Sequence, residues 1–309
     1  MADRIGTSQN LIPAALVVMV TCVATAPSNA GGGLYAFESL RRPVTSAQIA
    51  WGGQHGAAAG GPDALRANPA GLAAETSPSI GMAHQDWMWG LKLDWAGASM
   101  GLLGGVCALD VSALHTGAMP SYDADGRERG TFDPAELVGG LGYARSVAPG
   151  LRIGASLHLL RLHLPGRPGG GVAFGLGGTY DAGPVTFGVC GRNLGSDCQM
   201  EEDRYPLPAE IALGAAMALA RHSRLAISLL AEREGEARAL AGLRVGGPVG
   251  SSLLAGLALR SDRRAEPATL SGGVEIPLGG VLFGYAYVPE QETGAAHGFS
   301  VSIAPGNGP

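Results

Sequence analysis

The chain is 309 residues long, and its composition and charge already exclude several classes of protein. Hydrophobic residues make up 46% of the sequence and charged residues only 15%, which is incompatible with a disordered chain. The formal net charge is −5 and the basic residues form no cluster, so a nucleic-acid-binding surface is not expected. Beyond residue 30, no apolar run reaches the roughly 18 residues of a membrane-spanning helix, which excludes a helical membrane bundle.

The amino-terminal residues have the pattern of a targeting segment. Residues 11–26 (LIPAALVVMVTCVATA) carry no charge and are too short to span a membrane as a helix, and small residues follow at positions 28–30. We predict a signal peptide over residues 1–30, with cleavage after position 26 as the alternative to cleavage after position 30. Export would place three cysteines in an oxidising compartment, namely Cys107, Cys190 and Cys198. Because this number is odd, a complete set of disulfides is excluded, and whether Cys190 and Cys198 pair is left open.

From about Ser77 onward, apolar residues alternate with small or polar residues in segments of ten to fourteen residues. A period of two residues predicts β-strands. We count about fourteen, starting near Ser77, Trp87, Ser99, Pro134, Gly150, Gly169, Pro184, Pro208, Ser223, Ala237, Ser251, Pro267, Gly279 and Ala296. Each strand is long enough to cross a bilayer at a tilt, and an even number of strands closes an antiparallel barrel.

The two faces of these strands differ in side-chain size. One face carries large apolar residues, for example Ile211, Leu213 and Met217, while the other carries alanine, glycine and serine. Within lipid only a closed barrel satisfies every backbone hydrogen bond, so we predict that the large residues face lipid and the small ones a lumen. This arrangement accounts for the 51 glycines of the chain. The alternative is a soluble all-β sandwich or barrel in the periplasm.

Several polar and aromatic residues are assigned to one face by the same alternation. Four charged residues are predicted to face the lumen, namely Lys92, Asp94, Glu210 and Glu275. Trp95 is predicted to face outward near the membrane interface. In residues 151–164 the alternation is interrupted at Arg161 and His163, which we interpret as a bulge or as the strand leaving the bilayer.

The sequence gives little support for a catalytic or metal-binding motif. Residues 97–101 (GASMG) match the G-x-S-x-G pattern, but a strand follows where the nucleophile elbow requires a helix. Residues 123–126 (DADG) resemble part of a calcium loop, but Phe132 stands where a bidentate glutamate belongs. The seven histidines show no metal-binding spacing. We therefore expect no enzymatic activity, no catalytic or metal-binding residues and no cofactor.

A series of short motifs runs along the chain in a defined order. The N-terminal part contains Gly52-Gly53, Asp63-Ala64 and Asn68-Pro69-Ala70-Gly71-Leu72. Further motifs lie at residues 84–87, 130–132 with 141–145, 193–195, 206–208, 285–289 and 297–302. Together and in this order, the motifs resemble the PorV/PorQ family of outer-membrane proteins, within the broader group of FadL-like barrels. The resemblance covers nearly all of the chain after the predicted signal peptide.

The resemblance implies an all-β fold, with a fourteen-stranded outer-membrane barrel and an N-terminal segment that folds into its lumen. We divide the chain into the signal peptide (1–30), a plug segment (31–76), the barrel (77–304) and a C-terminal tail (305–309). The expected plug motif consists of Asp63, Asn68, Pro69, Ala70, Gly71 and Leu72. The implied location is the outer membrane of a diderm bacterium, where outer-membrane lipid surrounds the barrel.

By the same resemblance, the expected function is that of a non-enzymatic component or scaffold of type IX protein secretion and surface attachment. Its partners would be secreted cargo or proteins of the secretion machinery. Candidate contact residues lie in the longer connections, namely Tyr122, Asp123, Arg127, Glu128, Arg204 and Tyr205. A FadL-like channel for small hydrophobic compounds is the first alternative, and a structural or periplasmic β-protein without a transport role is the second.

Overall fold

The chain forms a β-barrel around its own N-terminal segment. The computed structural model describes residues 35–87, 90–164, 168–200, 203–220, 222–233, 236–261, 268–290 and 294–303. The predicted signal peptide and the predicted tail lie outside the described residues. Among the described residues, no helix combines the length and the apolar character needed to cross a membrane.

The described residues contain eighteen strands. They are β1 (Ser79–Asp86), β2 (Lys92–Leu102), β3 (Gly105–His115), β4 (Met119–Tyr122), β5 (Glu128–Phe132), β6 (Ala135–Ala148), β7 (Leu151–His163), β8 (Gly169–Ala182), β9 (Val185–Gly195), β10 (Cys198–Met200), β11 (Asp203–Tyr205), β12 (Glu210–Ala220), β13 (Ser223–Glu232), β14 (Ala237–Gly246), β15 (Ser252–Arg260), β16 (Thr269–Leu278), β17 (Val281–Glu290) and β18 (Gly294–Ile303).

Fourteen of these strands form one closed antiparallel barrel, which confirms the predicted fold class. Neighbours along the chain pair in turn, β3 pairs with β6, β9 pairs with β12, and β18 pairs back with β1 through Ile80 and Ile303. The strands β4 and β5 form a separate hairpin, and β10 and β11 extend the sheet beside β8. Closure leaves no free edge among the barrel strands, as lipid requires.

The two ends of the barrel differ in the length of their connections. At one end β2–β3, β6–β7, β8–β9 and β16–β17 are joined by turns of two residues, while the connections β3–β6 and β9–β12 at the other end are long. In outer-membrane barrels the short turns lie on the periplasmic side and the long loops outside the cell. By this rule β1 begins and β18 ends at the periplasmic end.

Large apolar side chains point away from the barrel, as the alternation predicts. Ile211 is 46% exposed and the neighbouring Ala212 is 3% exposed. The same outward exposure recurs at Leu159, Leu229 and Phe299 on other strands. Exposed apolar side chains in such number are typical of a surface that lipid covers, and the soluble alternative has no explanation for them.

The strand β2 has the opposite orientation to the one predicted. Trp95 points inward and is almost fully buried, whereas Lys92 and Asp94 point outward. Trp95 Nε1 donates a hydrogen bond to Asp110 Oδ2 on the inner face of β3 at 2.9 Å. The local sequence gives no clear apolar face here, so this inward hydrogen bond decides the orientation. Glu210 and Glu275 are buried inside the barrel, as predicted.

The predicted bulge near Arg161 is absent. The pairing of β7 with both neighbours is continuous through this region, where Arg161 pairs with Leu137 of β6 and Gly170 of β8. Arg161 and His163 point outward at the extracellular end of β7 and are exposed. The interruption of the apolar pattern therefore marks the end of the lipid-facing part of the strand, which is the second of the two interpretations.

The N-terminal segment contains four short helices, and one more lies between strands. They are a 3-10 helix (Glu38–Arg41), α1 (Ser46–Ala50), α2 (Ala64–Ala67), a 3-10 helix (Pro69–Ala74) and a 3-10 helix before β15 (Pro248–Gly250). The Thr45 side chain accepts a hydrogen bond from the Gln48 amide and so caps α1. In the helix that Pro69 begins, the missing proline N–H leaves no hydrogen bond unmade.

Candidate functional site

Residues 35–73, which we call the luminal segment, lie inside the barrel and contact inward-facing residues of strands around its circumference. Glycines on the wall permit the contact: a Cβ on Gly154 of β7 would lie 2.5 Å from the carbonyl carbon of Pro69, and one on Gly256 of β15 would lie 2.1 Å from the amide of Gly52. At these two points the backbone of the barrel wall is in direct contact with the backbone of the luminal segment. The glycine content therefore reflects the close fit between the wall and the luminal segment.

The structure buries residues 68–72 of the expected plug motif inside the barrel, whereas Asp63 is partly buried. The Asn68 amide donates to the carbonyls of Gly56 (3.1 Å) and Gly178 (3.3 Å), and its side-chain oxygen accepts from the Ala70 amide at 3.1 Å. Pro69, Ala70 and Leu72 are buried behind it. Gly71 is required because a Cβ there would lie 2.6 Å from the Ala59 carbonyl oxygen. The motif therefore forms a rigid bend against β8.

Asp63 holds two parts of the luminal segment together. Its Oδ2 accepts a hydrogen bond from Gln48 Nε2 at 2.7 Å, and Gln48 Oε1 in turn accepts from the Val44 amide at 2.9 Å. Burial raises the pKa of Asp63 to about 7, and the negative charge of Glu75 acts in the same direction. The charge of this carboxyl group, which connects α1 with the start of α2, therefore changes near neutral pH.

One buried ion pair ties the luminal segment to the wall near α2. Arg66 Nε donates to Asp110 Oδ2 of β3 at 2.6 Å, and both side chains are fully buried. Asp110 also accepts the hydrogen bond from Trp95. Breaking such a pair on one side leaves a buried charge uncompensated, which typically costs several kcal/mol, roughly 3 to 5. Sequence reasoning did not identify Arg66 or Asp110, because nothing in their local context distinguishes them.

A second charged cluster lies inside the barrel nearer the extracellular end. Arg41 of the luminal segment pairs with Glu232 of β13. Arg192 pairs with Glu210. Arg238 donates a hydrogen bond to Glu210 at 2.7 Å, and its Nε lies 2.8 Å from Glu232 Oε1. The three arginines share two buried glutamates, and Arg41 also lies 3.4 Å from Glu38 and 4.0 Å from Glu236. Through Arg41, the cluster holds the first turn of the luminal segment against β13.

Beside this charged cluster lies a second cluster of buried apolar side chains, which includes Phe37 and Leu40 of the luminal segment and which we call the apolar chamber. Its other buried members are Ala36, Val138, Leu160, Leu162, Ala173, Cys198 and Leu207. Tyr205 and Met200, from the connection between β9 and β12, pack over it from the extracellular side. Phe37 has a left-handed backbone conformation (φ 59°, ψ 51°), which a residue with a bulky side chain rarely adopts and which costs about 1 to 3 kcal/mol.

The expected partner-contact residues lie in two separate places. Tyr122, Arg127 and Glu128 are exposed on the β4–β5 hairpin, where Asp123 Oδ1 accepts from the Arg127 amide at 2.9 Å and shapes the turn. Arg204 is exposed on β11, whereas the neighbouring Tyr205 is partly buried over the apolar chamber. The six residues therefore lie on two different hairpins.

The three cysteines of the described residues are free thiols. Cys190 and Cys198 are both buried and make no disulfide with each other. Cys190 Sγ lies 3.3 Å from the carbonyl oxygen of Ala67, inside the barrel, and Cys198 belongs to the apolar chamber. Their separate surroundings answer the question that the sequence left open.

Comparison with known proteins identifies the fold but not a family. No family model and no curated protein matches the chain. Among solved structures, the toluene transporter TodX of Pseudomonas putida is similar over 87% of this chain and 98% of its own, with a TM-score of 0.62 and 12% identity. A FadL homologue of Pseudomonas aeruginosa is similar over 84% of this chain and 97% of its own, with a TM-score of 0.56 and 10% identity. The chain therefore shares the fold of these two barrels.

Proposed function

We propose that the protein is an outer-membrane channel for small, uncharged hydrophobic compounds, with the apolar chamber as the ligand site and the luminal segment as its gate. The observation that carries the proposal is the chamber itself, because an internal benzyl group, that of Phe37, packs among buried apolar side chains inside the barrel. A hydrophobic ligand is bound by such a lining. The structural neighbour TodX, described as a toluene transporter and a monoaromatic hydrocarbon channel, supports this class of substrate.

The charges near the chamber favour a neutral ligand over a fatty acid. A carboxylate buried in the barrel needs a cationic partner. Arg41, Arg192 and Arg238 are all engaged by glutamates of the same cluster. A fatty acid would have to compete with these carboxylates, whereas an aromatic hydrocarbon would only have to displace Phe37. Displacement would also release the left-handed backbone of Phe37 from its strain.

The secretion role that the PorV/PorQ resemblance implies has less support. Its expected contact residues are divided between two hairpins, and one of them, Tyr205, packs against the chamber. The structural comparisons support a hydrophobic-compound channel rather than a secretion component. We therefore place the channel first.

Two adjacent substitutions test the proposal. Leu160 is buried in the chamber, whereas Leu159 is 62% exposed on the lipid-facing side of the same strand. Leu160→Trp should fill the chamber and abolish uptake of radiolabelled toluene by cells producing the protein. Leu159→Trp should leave uptake unchanged. Equal uptake by both variants, or uptake of a long-chain fatty acid by the wild type that toluene does not inhibit, would contradict the proposal.

A further inference from the structure

Five polar side chains of the barrel interior lie next to the apolar chamber and have no part in the channel function proposed above. They are Arg66 of the luminal segment, Asp110 and Ser112 of β3, and Ser156 and His158 of β7. We call this set the polar floor. None of the five residues is more than 7% exposed. Buried polar groups normally have hydrogen-bond partners, so the partners of the polar floor have to be identified.

Cross-strand pairing places the polar floor directly below the chamber, on its periplasmic side. The chamber residues Val138 and Leu160 pair with each other, and Ser112 pairs with Val138 from the other side of β6. Two residues nearer the periplasmic end, on the same inward face, Asp110 and His158 flank β6 in the same way. A compound that moves from the chamber towards the periplasm therefore reaches the polar floor next.

Several atoms of the polar floor have no hydrogen-bond partner within the described part of the chain. They are Arg66 Nη1, Asp110 Oδ1, the hydroxyl oxygens of Ser112 and Ser156, and both ring nitrogens of His158. The ion pair between Arg66 and Asp110 uses other atoms of the two groups, namely Nε and Oδ2. A buried polar atom without a partner carries the full cost of its desolvation. A ligand that supplies the missing hydrogen bonds is therefore favoured over one that cannot.

Glycines of the barrel wall leave these polar atoms uncovered. A Cβ on Gly140 of β6 would lie 2.2 Å from Asp110 Oδ1 and 3.0 Å from His158 Nε2, so both atoms border the same point. A Cβ on Gly175 of β8 would lie 2.4 Å from Ser156 Oγ. One small polar group placed over Gly140 can therefore reach the carboxylate and the imidazole together.

We propose that the polar floor binds the hydroxyl group of a small phenol or other hydrophobic alcohol, whose hydrocarbon part lies in the apolar chamber. This inference rests on the proposed channel function and narrows its substrate class. A hydroxyl group is both a donor and an acceptor. It can donate to Asp110 Oδ1 and accept from Arg66 Nη1 or from the N–H of His158. A site that hydrogen-bonds a hydroxyl group discriminates against analogues without one, because its buried polar groups then stay unpaired.

The charges of the polar floor disfavour other polar groups on the ligand. A carboxylate would lie beside the carboxylate of Asp110, and an ammonium group would lie beside the guanidinium of Arg66. An ether oxygen can accept from Arg66 but has no proton to donate, so Asp110 Oδ1 would stay without a donor. A hydroxyl is the smallest neutral group that matches both side chains.

The test measures the uptake of radiolabelled toluene by cells producing the protein, with unlabelled p-cresol or its methyl ether as competitor. The two competitors share the same substituted ring, and only p-cresol has a hydroxyl proton to donate. The ether is the more hydrophobic compound, so an apolar site alone would favour the ether. We expect p-cresol to inhibit toluene uptake at an about tenfold lower concentration, which corresponds to one additional hydrogen bond.

Two substitutions in the polar floor should reduce this preference. His158→Leu removes both ring nitrogens and should abolish it, and the smaller change Ser156→Ala should weaken it. The matched control is His163→Leu, because His163 lies on the same strand but points outward and is exposed. This variant should keep the wild-type preference. Heat-modifiable gel mobility identifies variants that fail to fold.

The outcomes separate this inference from the channel function on which it rests. Absence of toluene uptake by the wild type would contradict the channel function and the hydroxyl site with it. Toluene uptake that both competitors inhibit equally would overturn the hydroxyl site alone. A preference for p-cresol that survives unchanged in folded His158→Leu and Ser156→Ala would also overturn the hydroxyl site.

Discussion

Single side chains in the luminal segment carry properties that a channel gate can use. Asp63 is the clearest case, because its carboxyl group accepts a hydrogen bond from Gln48 and has a pKa of about 7. In the unfolded chain the same group ionises near its ordinary value of about 3.9. The folded protein therefore binds this proton more tightly than the unfolded chain does. Between about pH 4 and pH 7 folding stability falls as the pH rises.

Asp63→Asn should remove this dependence, since an asparagine keeps an acceptor for Gln48 and does not ionise. We expect the difference in urea unfolding midpoint between pH 5 and pH 8 to be smaller for this variant than for the wild type. Asp125→Asn, on the exposed turn of the β4–β5 hairpin, serves as control and should retain the wild-type profile. A profile of Asp63→Asn identical to that of the wild type would show that Asp63 does not titrate in this range.

Phe37 shows how the conformation of one residue can bear on function. Its left-handed backbone is strained, yet its ring fills the apolar chamber. The packing of the ring compensates for the strain, and a ligand that replaces the ring would remove that compensation. The occupied chamber and the strained backbone together describe a closed state of the proposed gate.

Strands act here as two-sided elements, with lipid on one face and the luminal segment on the other. In β8, a Cβ on Gly177 would lie 1.9 Å from Asn68 Oδ1, while the nearest atom to a Cβ on the adjacent Gly178 is 3.8 Å away. Gly177→Ala should therefore displace the Asn68 bend and lower the free energy of unfolding by about 1 to 3 kcal/mol. This loss should be measured as a lower unfolding midpoint. Gly178→Ala should be nearly neutral. Equal effects of the two substitutions would contradict the close fit of the bend against β8.

The barrel as a whole closes without the luminal segment, because β1 pairs directly with β18. Deletion of residues 35–74 should therefore leave a folded barrel with an open lumen. We expect the full-length protein to show no steady conductance in planar bilayers and the deletion variant to show a stable open pore. Heat-modifiable gel mobility of both proteins confirms folding, and the absence of conductance in a folded deletion variant would exclude the luminal segment as the gate.

The sequence by itself determined the closed barrel of about fourteen strands and the lipid-facing side of most strands. These features follow from the alternation of large apolar and small side chains along each strand. In β12, for example, Ile211 points outward and Ala212 points inward. Where both faces of a strand are similar in local character, as in β2, periodicity could not assign the side, and Trp95 was predicted on the wrong face.

Only the tertiary structure decided which side chains meet inside the lumen. Arg66 and Asp110 are 44 residues apart, and Arg41 meets Glu232 of β13, which lies far along the chain. The apolar chamber likewise combines residues of the luminal segment with those of four other elements. Such contacts depend on how the closed wall places distant strands around one segment. Local sequence patterns carry no record of that placement, since a glycine opposite Asn68 and a glycine facing lipid look the same in the chain.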